Sequence, residues 1–257
     1  MATARASWRG RRPRSAEADF DPLRALALKS YATIYDRHPL EFRGAAMFAW
    51  SPLGAIYAVW LAWLVTWELA AVWSSRTQAA LGFGIRSFFR VLTTAGFVLL
   101  LFTPPWAWSL GRWKSAYARP PLKAWTTPLW NTPDTLGWVL VAVAAAGFAF
   151  CWWARLRLGR LWSSAITRKA DHRIVDTGPY GLVRHPIYTG ILTMGWALAL
   201  DKAAPAAIAG AVALSAGYWL KGRLEEDFLR TELGAETYDA YRGRAPMLVP
   251  FLPTNAP

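Results

Sequence analysis

A single cysteine, Cys151, and three histidines are all that 257 residues offer to thiol or soft-metal chemistry. One cysteine excludes an intramolecular disulfide and a cysteine-based zinc cluster, and it leaves the redox compartment undetermined. His172 and His185 have neither a cysteine companion nor the H-x-x-x-H spacing that sets two imidazoles on one helix face, so no metal is expected. Acidic residues are scarce as well, 16 against 29 Lys and Arg, for a formal charge of +13. That excess could suggest nucleic acid, but no part of the chain is both basic and soluble. The arginines stand between apolar runs, where cations anchor membrane spans beside anionic headgroups, so membrane lipid is the expected partner and nucleic acid is not. No cleavable signal peptide is expected either. The first 45 residues hold nine Arg or Lys and no long apolar core, and the basic N-terminus is expected to be retained.

What the chain has in quantity is apolar surface. Hydrophobic residues make up 54% of it, with 17 tryptophans and a mean hydropathy of +0.18, which sets it apart from an ordinary soluble domain. Five apolar segments run from about Met47 to Trp73, Val91 to Leu110, Leu136 to Trp153, Ile187 to Leu200 and Ala203 to Leu220. A helix needs about 20 apolar residues to cross a bilayer core. The first three segments qualify alone. The fourth is short, but only Asp201 and Lys202 separate it from the fifth, so the two read as a tight helical hairpin. The expected fold is all-α, a polytopic transmembrane bundle of about five spans whose C-terminal hairpin is flanked by polar segments. Pro104 and Pro105 should kink or end the second helix. Trp60, Trp63, Trp67, Trp73, Trp106 and Trp108 fit interfacial belts or helix packing.

Residues 1 to 20 read as a basic tail with little to bury, and residues 21 to 35 as an amphipathic helix suited to a membrane surface. The organisation expected is a basic arm over 1–45, an N-terminal transmembrane region over 46–135 and a core over 136–257. Lys and Arg divide almost evenly between alternate loops, fourteen against fifteen, so the positive-inside rule does not set an orientation.

Two polar clusters bracket the hairpin: His172 to Gly190, HRIVDTGPYGLVRHPIYTG, and Lys221 to Pro253, which opens KGRLEEDFLRTEL. A hairpin returns the chain to the side it left, so both clusters lie at one membrane face and can build one site. Pro186 suits the first helical turn, where its missing N–H costs nothing, with His185 at the cap position. The amides and dipole of that helix start would seat a carboxylate or phosphate. Tyr188 lies in the first turn, and Gly190 removes a side chain where a flat group could approach the backbone. Across the hairpin, Glu225 and Glu226 would meet an ammonium group or ribose hydroxyls, and Arg223 an anionic group. A ligand with a carboxylate, an ammonium and an aromatic base fits this set, which describes an amino-acid-bearing nucleoside.

These residues also carry a resemblance. TGPYGLVRHPIYTG, a helical hairpin and then RLEEDFLRTELGAETYDAYRGRAP resemble the integral-membrane methyltransferases of the isoprenylcysteine carboxyl methyltransferase and phospholipid N-methyltransferase group. The match covers residues 172 to 253, about a third of the chain. It rests on two separated motifs that agree in content, order and spacing. The resemblance implies S-adenosylmethionine as methyl donor and a lipophilic acceptor, a small molecule, a lipid or an isoprenylcysteine, that arrives from the bilayer. It implies that Gly178, Pro179, Tyr180, Val183, Arg184, His185 and Tyr188 line the cofactor pocket with Glu225 and Glu226. Arg223 matches the family arginine near the reacting groups, and Arg223 and Glu226 are the implied catalytic pair. The implied setting is a cell's inner membrane with the cofactor at the cytoplasmic face. Gly181 and Leu182 replace a common arginine and aromatic, which leaves the acceptor's charge open; Leu233 and Ala245 are conservative departures.

A thiolate or carboxylate acceptor needs no general base, whereas an amine or hydroxyl acceptor does, and either glutamate could then serve. The chain supplies its own control for the histidine-proline pair: Arg37, His38 and Pro39 precede the first apolar span without a GPY, a tyrosine or a glycine, and read as a simple cap. Glu68 is the clear carboxylate inside a span. Two other classes compete. One is a membrane NAD(P)H-dependent reductase related to sterol reductases, which carry a related C-terminal hairpin with a histidine-proline motif. The other is a non-enzymatic lipid-binding or transport protein, which would need charges along a pathway through the membrane.

Overall fold

The computed structural model describes residues 51–70, 77–80, 83–101, 122–159, 162, 167–169 and 174–254. The expected basic arm, the surface helix over 21–35, the Arg37-His38-Pro39 cap, the Pro104-Pro105 break, His172 and Trp73, Trp106 and Trp108 lie outside these residues. The described elements are α1 (Pro52–Ala70), β1 (Thr77–Ala80), α2 (Phe83–Leu101), α3 (Leu122–Thr126), α4 (Asp134–Leu158), β2 (Thr167–Lys169), α5 (Pro179–Leu182), α6 (Pro186–Lys202), α7 (Pro205–Leu233) and α8 (Ala235–Arg242). The architecture is helical, with one short antiparallel ladder between β1 and β2.

The long helices fall on the five apolar segments. Two of them, α1 and α4, are long and apolar enough to cross a membrane, and α2 is apolar over Phe88–Leu101. The hairpin helices differ in kind. α6 is 17 residues long and mostly buried, whereas α7 runs 29 residues and ends in a polar stretch. At about 1.5 Å per residue, α7 extends roughly 44 Å, longer than a hydrocarbon core about 30 Å thick. Its last turns carry Glu225 and Glu226 on the same unbroken helix as the apolar run that precedes them.

Helix packing follows the small residues. A Cβ on Gly190 would stand 2.5 Å from both the Cys151 sulfur and the Gly147 carbonyl, and one on Gly147 would stand 2.8 Å from the Gly190 carbonyl. α4 and α6 thus cross backbone against backbone. Gly96 and Gly210 do the same where α2 crosses α7. Within lipid, where burial from water gives helices no reason to associate, such close approach is a main source of cohesion. On α1, Ile56, Trp60, Trp63, Trp67 and Ala70 recur every three or four residues and form the buried face, so these tryptophans pack rather than belt.

The hairpin turn sits one step later than its sequence suggests. Asp201 and Lys202 belong to the last turn of α6, and Ala203, in the left-handed region at φ 53°, makes the turn before Pro205 starts α7. The Lys202 ammonium donates to the Leu100 carbonyl at 2.8 Å, which ties the turn to the end of α2.

Candidate functional site

The start of α6 has the expected form, with His185 at the cap and Pro186 in the first turn. Just before it, Gly178 takes φ 63°, a backbone state that only glycine adopts readily, and lets Pro179 open the short α5. Pro179, Tyr180 and Val183 are buried. They form the wall behind the site.

The two arms of the hairpin meet at Glu226. Its Oε1 accepts from Arg184 Nε at 2.8 Å and its Oε2 from Arg184 Nη2 at 3.1 Å, a two-pronged pair. His185 Nε2 lies 3.0 Å from the same Oε1. An ionised carboxylate only accepts, so the proton belongs on Nε2. The pair is buried, with 7% and 4% of the Arg184 and Glu226 side chains exposed. Burial alone pushes the Glu226 carboxyl up. The hydrogen bonds and charges of His185 and Arg184 outweigh it and bring the pKa down to about 2. Arg242 adds a second guanidinium 3.9 Å from Oε2.

Arg184 reaches a third segment. Its Nη1 donates to the carbonyls of Arg242 and Ala245. The backbone pairs there as well: Arg184 N–H donates to the Pro246 carbonyl at 2.8 Å and His185 N–H to the Met247 carbonyl at 3.1 Å. Thr189 Oγ1 donates to the Leu248 carbonyl at 2.6 Å. Residues 245–248 therefore strap the start of α6. The strap takes up the amides of Arg184 and His185, which leaves the first-turn amides of Ile187 and Tyr188 as the donors an anion at this helix start would use.

Glu225 differs from its neighbour. It keeps 28% of its side chain exposed and accepts one hydrogen bond from the Tyr188 hydroxyl at 2.6 Å. The Tyr188 ring stacks on His185, 5.2 Å between centroids at 3°, and leans on Tyr218 at 4.9 Å. The Lys221 ammonium lies 4.9 Å from the Tyr188 centroid. Beneath this layer, the Tyr241 hydroxyl donates to the Tyr180 carbonyl at 2.8 Å, which fixes α8 to α5. Burial first, then neighbouring carboxylates, pushes the Tyr180 and Tyr238 phenols up, so both stay protonated.

The structure thus gathers Arg184, His185, Tyr188, Glu225 and Glu226. Arg223 is set apart from them, exposed and 5.8 Å from the ring centroid of Trp219. Trp219 in turn lines an apolar groove of about 740 Å³ between α4, α6, α7 and residues 248–250. The groove's hydroxyls point elsewhere: Thr193 Oγ1 donates to the Thr189 carbonyl, and Ser215 donates to Ala211 while accepting from Trp196. Glu68 is exposed on α1. Tyr218, Lys221, Tyr241 and Arg242 were not singled out by sequence. Tyr218, Lys221 and Glu225 stand at helical spacing on α7, and that periodicity was the available signal.

Comparison with known proteins finds three similarities. The family model "Isoprenylcysteine carboxyl methyltransferase (ICMT) family" matches residues 137–228, which span α4 through the two glutamates of α7. Methanethiol S-methyltransferase 2 of Bradyrhizobium diazoefficiens is 32% identical over an alignment of 151 residues, covering 49% of this chain and 51% of the relative. The chain therefore spans about half the length of that curated relative. A solved structure of the eukaryotic intramembrane Ras methyltransferase ICMT is similar at 14% identity and a TM-score of 0.39, over 89% of this chain and 92% of that one. At that level it transfers no residue-by-residue correspondence.

Proposed function

We propose that this ICMT-like membrane methyltransferase uses S-adenosylmethionine at the layer formed by His185, Tyr188 and Glu225, and methylates a lipophilic acceptor held in the groove beside Trp219. The observation that carries the reading is the division of labour between the paired glutamates. Glu226 is buried and accepts three hydrogen bonds from Arg184 and His185, whereas Glu225 is partly exposed and accepts one, from Tyr188. The chain is read as an integral membrane protein of a cell's inner membrane, with residues 136–257 as its catalytic core and this site at the cytoplasmic face.

The donor set fits the cofactor. Glu225 supplies a carboxylate for an ammonium or for ribose hydroxyls, the half-buried Arg242 guanidinium supplies a cation for a carboxylate, and the Tyr188 and His185 rings supply flat surfaces. Pro179, Tyr180 and Val183 close the wall behind them, and the exposed Gly178 stands at its edge. When bound, S-adenosylmethionine supplies an electrophilic methyl on a sulfonium whose departure leaves a neutral thioether.

The protein's own contribution is placement and exclusion of water. Arg184 holds three segments together, through Glu226, the strap and α8, so the Tyr188–Glu225 layer is preorganised. Fixing two reactants in line can supply about 7–11 kcal/mol of a barrier. Glu226, held ionised near pKa 2 by Arg184 and His185, is a poor proton acceptor; Glu225 is the residue to take a proton from an acceptor that carries one. Arg223, 5.8 Å from the ring centroid of the groove-lining Trp219, would meet an acceptor's anionic group. The groove's inward-bonded hydroxyls favour hydrocarbon. The relative named for methanethiol suggests sulfur as one candidate methylated atom.

Calorimetry on detergent-purified protein tests the reading. The expected result is S-adenosylmethionine binding displaced by S-adenosylhomocysteine and not by NADPH. Displacement by NADPH alone would instead identify a reductase, and absence of binding would reject a cofactor site here.

A further inference from the structure

Lys221 makes contacts that the proposed reaction leaves unused. Its ammonium nitrogen lies 4.9 Å from the ring centroid of Tyr188, 6.0 Å from that of Tyr218 and 5.9 Å from that of Phe89. Three aromatic faces from α2, α6 and α7 thus surround one cation where α7 leaves its apolar run. The faces are electronically primed. The Tyr188 hydroxyl donates to Glu225 at 2.6 Å, and a phenol that donates to a carboxylate gains electron density in its ring, which strengthens attraction to a cation over its face. The cluster sits in the layer assigned above to the methyl donor. Tyr188 is shared between the two.

We propose that Tyr188, Tyr218 and Phe89 form a subsite for the cationic sulfonium of the methyl donor, and that Lys221 is its internal occupant, which yields the place when the donor binds. This rests on the S-adenosylmethionine reading. A trialkylated sulfonium is more weakly hydrated than a primary ammonium, so it loses less on leaving water while facing the same rings, the property by which aromatic cages select quaternary ammonium groups. Lysine's four-carbon stem lets the ammonium swing toward water while its methylenes stay on apolar surface. The thioether product carries no charge and has no comparable claim on the rings. Lys221 then returns, so the same exchange that admits the donor favours release of the product.

The test is calorimetric titration of S-adenosylmethionine and S-adenosylhomocysteine into the full chain and its variants, each checked by thermal melting. Lys221→Met removes the competitor, and S-adenosylmethionine is expected to bind about tenfold tighter, in line with the strength of a desolvated cation over rings. Lys221→Arg keeps a cation over the rings and is expected to stay near the wild-type affinity. Tyr218→Leu is expected to weaken S-adenosylmethionine while leaving S-adenosylhomocysteine unchanged, so the preference for the charged ligand collapses; Tyr218→Phe retains it. This second comparison stands even where Lys221→Met does not fold. If the wild type binds the donor and Lys221→Met weakens or does not change that binding, the lysine grips the ligand or ignores it, and the subsite exchange is overturned while the methyltransferase reading survives. Equal losses for both ligands in Tyr218→Leu also overturn it. If neither ligand binds the wild type, the functional reading fails and the inference with it.

Discussion

Replacing Glu226 with glutamine tests whether this carboxylate is the rivet of the site. The variant keeps the shape of the side chain but removes the charge that faces Arg184 and His185 and turns one acceptor oxygen into a donor. Truncating one partner of a buried ion pair costs about 3–5 kcal/mol, because the other charge stays buried without compensation. A second route gives a similar figure. The carboxyl falls from 4.5 to about 2, and each unit is worth about 1.4 kcal/mol, so the folded state gains about 3 kcal/mol from ionising it. The lower figure is preferred, since Arg184 retains the carbonyls of Arg242 and Ala245. For a chain of this size 1 kcal/mol moves Tm by about 2–4 °C, so Glu226→Gln should melt about 6–12 °C lower in detergent at pH 7. The pH dependence follows from the sign of the shift. A folded pKa below the unfolded value gives a contribution that is present in full above about pH 4.5 and lost as pH falls through about 2. The gap between wild type and variant should therefore close on acidification. A Glu226→Gln protein that melts with the wild type at pH 7, or a gap that persists to pH 2, would refute the role. The same role alters the meaning of an alanine variant: Glu226→Ala should lose cofactor binding together with stability, rather than binding alone.

Other outcomes follow from the same geometry. Glu225→Gln, at a partly exposed position with one hydrogen bond, should weaken S-adenosylmethionine binding at least tenfold, the loss of a charge-assisted contact, while Tm moves little. Gly190→Ala places a methyl against the Gly147 carbonyl and Cys151, where backbone cannot yield, and should destabilise the α4–α6 crossing by about 1–3 kcal/mol or more, read as a drop in melting temperature. Arg223→Ala, far from the buried cluster, should leave cofactor affinity unchanged and raise KM for an anionic acceptor; loss of cofactor binding would place Arg223 in the wrong site. Tyr241→Phe removes the buried bond to the Tyr180 carbonyl and should cost about 1–3 kcal/mol in thermal melting, because the carbonyl is left without a donor.

Much of the frame was legible from residues alone. Apolar runs marked the long helices, because a segment that must satisfy its own backbone in lipid has to be helical and apolar. The Arg184-His185-Pro186 sequence marked where α6 begins, since proline is tolerated in the first turn and not in the middle. The hairpin then required both polar arms to share one face. Less legible was the turn itself: Asp201 and Lys202 look like loop residues, but the carbonyl of Leu100, about a hundred residues upstream, holds Lys202 within the helix.

Sequence by itself determined which residues stand at the polar end of the hairpin, because that depends on order and spacing along one chain. Only the tertiary structure decided what each does there. Glu225 and Glu226 are neighbours in sequence, but a helix turns about 100° per residue, so one faces Arg184 and His185 while the other faces Tyr188 and open space. The same rotation sends Arg223 outward to Trp219 and Lys221 inward over three rings. Which face meets which partner is fixed by how α2, α6 and α7 cross, and those crossings are set by glycines that bring backbones together from distant parts of the chain.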